Sequence, residues 1–248
     1  VRDVPSPAIV GATEGAPLTV RTGFARKLFY GFAALALLSL AISLAGRWAG
    51  QAILMGGHSD DTSSREIVIG NDVLAVPANM IRFEAARRDG AAGRLDLYVR
   101  WPQMDGYSRA ASDAFNHVDG DRSIIFVTLE PRMMSRDMSS RFDPIYSLLI
   151  EGEARPGPGG LAIHRFSPES GYVDEVLAVA ERPGEEPFVM RCLAGAAAKQ
   201  SLAPCERDIH VGKDLSLVYR MPPGLAGEWR AVEVSVRALA GRLLGEGG

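Results

Sequence analysis

The chain offers few groups that could do chemistry, and they are scattered. Its four histidines are His58, His117, His164 and His210. Only His117-Val118-Asp119-Gly120-Asp121 places an imidazole beside two carboxylates, the minimum for acid–base work or metal ligation. Asp-Gly is turn chemistry, and a calcium loop needs a longer acidic run, so the preferred reading is a solvated turn. His58 with Asp60 and Asp61 falls in the Gly/Ser-rich run GGHSDDTSS, read as linker rather than as rigid ligand geometry. His164 and His210 lie in predicted strands as ordinary strand residues. Arg82, Arg100, Arg132, Arg136 and Arg141 would form an anion pocket only if the fold gathered them. No G-x-S-x-G, H-E-x-x-H, P-loop or G-x-G-x-x-G occurs. No catalytic residue, metal site or cofactor is assigned.

The two cysteines, Cys192 and Cys205, are a different matter. One ends a predicted strand and the other precedes the next, with the Ala-rich run Leu193–Gln200 between them as a short helix. The spacing is not the C-x-x-C of a redox pair, and a zinc site would need two further ligands where only His210 is near. A structural disulfide is the expectation, worth about 3 kcal/mol for so short a loop.

These residues need positioning, and the first element to do so is Leu28–Gly46, nineteen residues without a charge. A helix of that length crosses a hydrocarbon core of roughly 30 Å. Arg26 and Lys27 bound it on one side and Arg47 on the other, with Trp48 at the far interface. Residues 1–27 carry a net charge of +2, whereas those from Ser59 onward carry −6. Lys and Arg beside a span hold that side in the cytoplasm. The expected layout is a disordered cytoplasmic tail over 1–27, a single-pass inner-membrane anchor over 28–48, a flexible tether over 49–64 and a periplasmic domain over 65–248. A cleaved signal peptide ending near Ser43-Leu44-Ala45 is the alternative, disfavoured by the long apolar run and extended n-region.

The outer domain reads as α+β, mainly antiparallel, with a C-terminal packing helix. Ile67–Ile69 and Val73–Val76 flank a Gly70-Asn71-Asp72 turn. Ala78–Arg88 suits one or two helical turns, and Gly106–Val118 a helix. Arg94–Trp101 alternates as a half-buried strand, with Leu95, Leu97, Val99 and Trp101 opposite Asp96, Tyr98 and Arg100. Arg122–Leu129 is β-prone and reads as a central strand. Asp143-Pro144 starts a predicted helix with Ile145, Leu148 and Leu149 as its buried stripe, ended by the Pro/Gly run from Arg155 to Gly160. Leu161–Phe166, Tyr172–Ala180 and Pro187–Cys192, then Glu206–Val211 and Leu215–Tyr219, are joined by short turns and must pair antiparallel. Along 225–244, Leu225, Trp229, Val232, Val236, Leu239 and Leu243 form one apolar seam flanked by Glu233 and Arg237. That seam packs on its own sheet in the preferred reading; a homodimer through this helix is the alternative.

Between the two halves lies Glu130–Ser140, a loop holding Met133, Met134 and Met138 with Arg132 and Arg136. Methionine is adaptable and recurs at contact surfaces, so Arg132, Met133, Met134, Arg136 and Met138 are the candidate interaction surface, against gap-filling beneath the loop. The domain is mildly acidic with no Lys/Arg run, which argues against nucleic acid and against lying on anionic lipid.

VPANMIRF (76–83), RLDLYVRWP (94–102), PRMMSRDMSSRFDPIY (131–146) and RCLAGAAAKQSLAPCERD (191–208) resemble an uncharacterised family of single-pass envelope proteins of alphaproteobacterial type. The resemblance implies location and no residue roles. Three readings follow. The favoured one is an accessory or assembly subunit that binds another envelope protein. The second is a small-ligand or sensor domain using the arginines or Tyr98 and Tyr107. The third is an enzyme of unfamiliar type with His117, Asp119 and Asp121 as its candidates.

Overall fold

The computed structural model describes residues 22–245, excluding the side chains of 22, 24, 25 and 45–55. It divides into two units, residues 1–54 and 55–248. Most of the predicted tail, and the Trp48 side chain, lie outside the described residues.

The first unit contains helix α1, Thr22–Met55. Arg26–Leu44 within it is long and apolar enough to cross a membrane and has no buried residues. Phe29, Leu37 and Ile42 are exposed around its circumference, a pattern that water penalises and acyl chains do not.

In the second unit, β1 (Ser64–Ile69) and β2 (Asp72–Pro77) form the expected hairpin. β3 (Gly90–Ala91) joins β1 in parallel, which completes a three-stranded sheet. The larger sheet has eight antiparallel strands. β4 (Leu95–Arg100) pairs with β5 (Ile124–Pro131). The chain then crosses to the opposite edge and returns strand by strand through β6 (Ile150–Pro156), β7 (Ala162–Phe166), β8 (Glu175–Ala180), β9 (Phe188–Leu193), β10 (Cys205–Val211) and β11 (Leu215–Met221). β11 closes on β5, giving the spatial order β4-β5-β11-β10-β9-β8-β7-β6. The sheet is narrowest between β9 and β10, which pair only at Cys192–Cys205 and Arg191–Glu206.

Two short helices, α2 (Ser112–Phe115) and α3 (Gly195–Gln200), sit in connections, and α4 (Trp229–Leu244) ends the domain. The predicted seam is buried throughout: Leu225, Trp229, Val232, Val236, Leu239 and Leu243 share one core with Leu97, Val127, Leu217, Phe188 and the β1–β2 residues Ile67, Ile69, Leu74 and Val76. Trp229 stacks near Phe188, and its indole N–H donates to the Gly159 carbonyl at 3.0 Å. The seam is therefore consumed within the domain, as the preferred reading expects.

Three local expectations are corrected. Residues 143–149 form only a 3₁₀ turn, Tyr146–Leu148, which buries Tyr146 and exposes Leu148. Ile150–Pro156, read as part of that helix and its ending, is instead edge strand β6. Gly106–Val118 is helical only in short pieces. Gly106 must pass so close to Asn79 that a Cβ would lie 2.7 Å from its carbonyl. Tyr107 and Asn79 then exchange hydrogen bonds that fix the segment in extended form.

The predicted tether also differs. Its first residues continue α1 to Met55. From Gly57 the chain is held to the domain: Arg87 donates to the Gly57 carbonyl at 2.7 Å, and Arg109 pairs with Asp60 at 2.7 Å. The His58 ring stacks on Tyr107 with centroids 4.7 Å apart, and its Nδ1 is 3.1 Å from the Tyr98 hydroxyl. An imidazole offered an aromatic box has more to gain there than in water.

Candidate functional site

Directly paired residues of antiparallel strands share a face, so the register assigns each side chain to one of the two faces of the large sheet. One face carries the main core. The other is covered only at its ends. At one end Tyr98, Ile124 and Phe126 pack with Tyr107, Ala114 and Phe115. At the other Leu177, Val179, Val189 and Phe166 pack with Met138 and Tyr146. Between these clusters the sheet presents a polar stripe that includes Arg220, Glu206, Arg191 and Glu175.

A wall stands over this stripe. The chain leaves β9, forms α3 and returns to β10, and the Cys192–Cys205 disulfide closes the base of that excursion. The cysteines are direct cross-strand partners with Cα atoms 4.0 Å apart. Gln200–Ala203 of the wall bound two adjoining cavities. The first, about 290 Å³, is lined by Arg82, Phe126, Gln200, Ser201, Leu202, Ala203 and Arg220. The second, about 240 Å³, shares Ser201, Ala203 and Arg220 and adds Glu175, Arg191 and Glu206.

The charges of the stripe are unevenly satisfied. Arg191 pairs with Glu206 and, at 3.4 Å, with Glu175. Burial pushes the Glu175 carboxyl above its ordinary range. Asp96 accepts three hydrogen bonds from Arg94, at 2.9, 3.0 and 3.2 Å, and one from Thr128. The carboxylates near Arg82 and Arg220 thus belong to other arginines. Arg82 lies over the Phe126 ring at 4.9 Å and beside Phe83 at 5.1 Å. Among the described residues neither Arg82 nor Arg220 has a carboxylate partner within salt-bridge distance.

The predicted Met/Arg loop is the crossing from β5 toward β6, and it divides. Arg132 is pinned to Asp214 at 3.0 Å. Met133 and Met134 are 87% and 53% exposed, and Arg136 is exposed beside them. Met138 is 2% exposed and belongs to the Tyr146 cluster, so it is a packing residue and leaves the candidate surface. Ser139, next to it, donates its hydroxyl to the Pro187 carbonyl at 2.6 Å.

The remaining candidates do not come together. Tyr98 and Tyr107 are buried in packing. His117 and Asp119 take left-handed backbone conformations, the His117 ring reaches the Asp121 carbonyl at 3.2 Å, and the Asp121 carboxylate accepts from Ser123. Arg100 and Arg141 are paired with Asp105 and Asp208. No group of three or more His, Cys, Asp or Glu residues is placed to hold a metal among the described residues. Of the five predicted arginines only Arg82 reaches the cavity. Its companion Arg220 was missed because it stands in the β-prone run 215–221, where one charge reads as a solvent-facing strand position.

No family model matches the chain, and no curated protein matches it. Among solved structures it is similar to the crystal structure of the Neisseria meningitidis iron-regulated outer membrane lipoprotein FrpD, at 10% identity and a TM-score of 0.42 over 76% of this chain and 95% of that one.

Proposed function

We propose that this is a single-pass bacterial inner-membrane protein whose periplasmic α+β domain binds another envelope protein as an accessory or assembly subunit. The apolar helix within Thr22–Met55 supports anchoring, and Arg26 and Lys27 at its start favour a cytoplasmic N-terminus. The observation that carries the partner reading is the Met133–Met134 tip. Two consecutive methionines stand in water on a loop whose ends are fixed by Arg132–Asp214 and by buried Met138 and Ser139. A pinned loop loses little entropy when its tip is covered, and flexible thioethers conform to whatever covers them.

The test is site-specific photocrosslinking of the full-length protein in its native membranes. A photoreactive residue at position 133 or 134 gives one discrete adduct, while the same residue at position 153 on exposed strand β6 gives none. Equal labelling from all three positions, or none from 133 and 134, overturns the reading.

A further inference from the structure

We infer that the Arg82–Arg220 cavity is a binding site for a dianionic oxyanion group, of the phosphate monoester class. The inference goes beyond the proposed partner surface and stands on different residues.

The domain from Ser59 onward is acidic, at −6, so two unpaired guanidinium groups lining one cavity run against its overall charge. The cavity has no carboxylate in its lining, and the nearest ones are taken. Asp96 is held by Arg94 and Thr128, and Glu206, the cross-strand partner of Arg220, is held by Arg191. Arg82 is exposed and lies over the faces of Phe83 and Phe126. A guanidinium resting on aromatic rings still offers parallel N–H donors that match an oxyanion.

The rest of the lining suits the same ligand. Ser201 contributes a hydroxyl and Gln200 an amide, both able to donate to phosphoryl oxygens. Arg122 donates to the Ser201 carbonyl at 3.3 Å, which adds a third positive group at the rim and steadies the wall. A monoanion would leave one of the two lining charges uncompensated, whereas a dianion balances both. The volume of about 290 Å³ accommodates a phosphoryl group with a small alcohol attached. The adjoining cavity sets Arg191 and Arg220 against Glu175 and Glu206, so its charges balance and it suits the neutral or hydroxylated remainder.

The experiment is calorimetric titration of the full-length protein in a neutral detergent, at constant ionic strength, with inorganic phosphate and separately with glycerol phosphate. Acetate serves as the monoanion control. Saturable binding of both phosphates is expected, at least tenfold weakened by Arg82→Ala and by Arg220→Ala and partly restored by Arg220→Lys. Arg155→Ala, on the far edge strand, leaves it unchanged. Unchanged melting temperatures of the variants show that the losses are not unfolding. If phosphate does not bind, if acetate binds equally well, or if Arg155→Ala weakens binding as much as Arg220→Ala, the assignment is wrong. Tighter glycerol phosphate than inorganic phosphate shows that the ester's remainder is held as well as its phosphoryl group; equal affinity overturns that part.

Discussion

The two faces of the large sheet are built on opposite terms. One is roofed by α4 and the β1–β2 hairpin, and the buried polar groups beneath them are paired inside the core. Arg207 is fully buried there, donating to both Glu233 oxygens at 2.8 and 3.1 Å and to the Val189 carbonyl. The other face is capped at its ends and open in the middle, where Arg220 and the neighbouring Arg82 have no carboxylate partner among the described residues. A protein can leave a charge unpaired where water reaches it, and cannot where water does not. The roofed face therefore carries stability, and the open face is free to carry recognition.

Substitutions can break that contrast if it is false. The largest expected effect is at Trp229. Trp229→Ala removes an anchored indole from the roofed core and costs about 3–5 kcal/mol, measured by denaturant unfolding of the full chain in detergent. A loss under about 1 kcal/mol would mean that α4 is a peripheral cover.

Glu233→Ala comes next, at about 3 kcal/mol, because it strands the Arg207 charge in the core. Arg207→Met with Glu233→Leu recovers part of the loss, since no buried charge is stranded and only the neutral Val189 carbonyl and Tyr219 hydroxyl lose a partner. The same carboxylate sets an acid limit. Burial opposes its charge, but Arg207 and Arg237 outweigh burial and hold its pKa below the ordinary value of 4.5. A group lowered on folding stabilises fully above its unfolded pKa, and that contribution is lost as pH falls through the folded value. Unfolding midpoints should thus fall steeply below about pH 4.5, and the double variant should lack this component.

The smallest effect belongs to the open face. His58→Ala costs about 1–2 kcal/mol of local docking, from one aromatic stack and one hydrogen bond. Burial lowers the His58 pKa from 6.5, assisted by the Arg87 and His117 charges and opposed by the Asn116 amide. The neutral ring is the docked form, so docking is strongest above pH 6.5 and weakens as pH falls through the lowered pKa. Limited proteolysis should cut 57–63 faster at pH 5.5 than at pH 7.5, with no such change in His58→Phe.

Much of the fold was legible because hydrophobic period and turn residues agreed. The 67–76 hairpin, the 94–101 strand and the seam of α4 each had a clean period and a Gly, Asn or Pro boundary. The failures have physical causes. Asp143-Pro144 has helix-start chemistry, but Tyr146 gains more by entering the aromatic cluster than by continuing a helix. β6 lies almost wholly exposed at the edge, with a register break between Glu151 and Arg155, so it has no alternating pattern to detect. His58 looked like linker because its partners, Tyr98, Tyr107 and Phe115, are forty or more residues away. The disulfide needed only the two cysteines and their place between strands. The oxyanion cavity needed Arg82 and Arg220, 138 positions apart, and no local signal joins them.

The narrow junction between β9 and β10 has a consequence for how the domain comes apart. Backbone pairing joins two four-stranded half-sheets here at only two residue pairs. The rest of the coupling comes from side chains: Phe188 and Met190 of one half share a core with Ile209 and Leu217 of the other, and Arg207 donates to the Val189 carbonyl. Local opening starts where few contacts cross. The Cys192–Cys205 bond ties the sheet at this line, so reduction should loosen first the excursion that forms the wall of the cavity, while the shared core holds the two halves together.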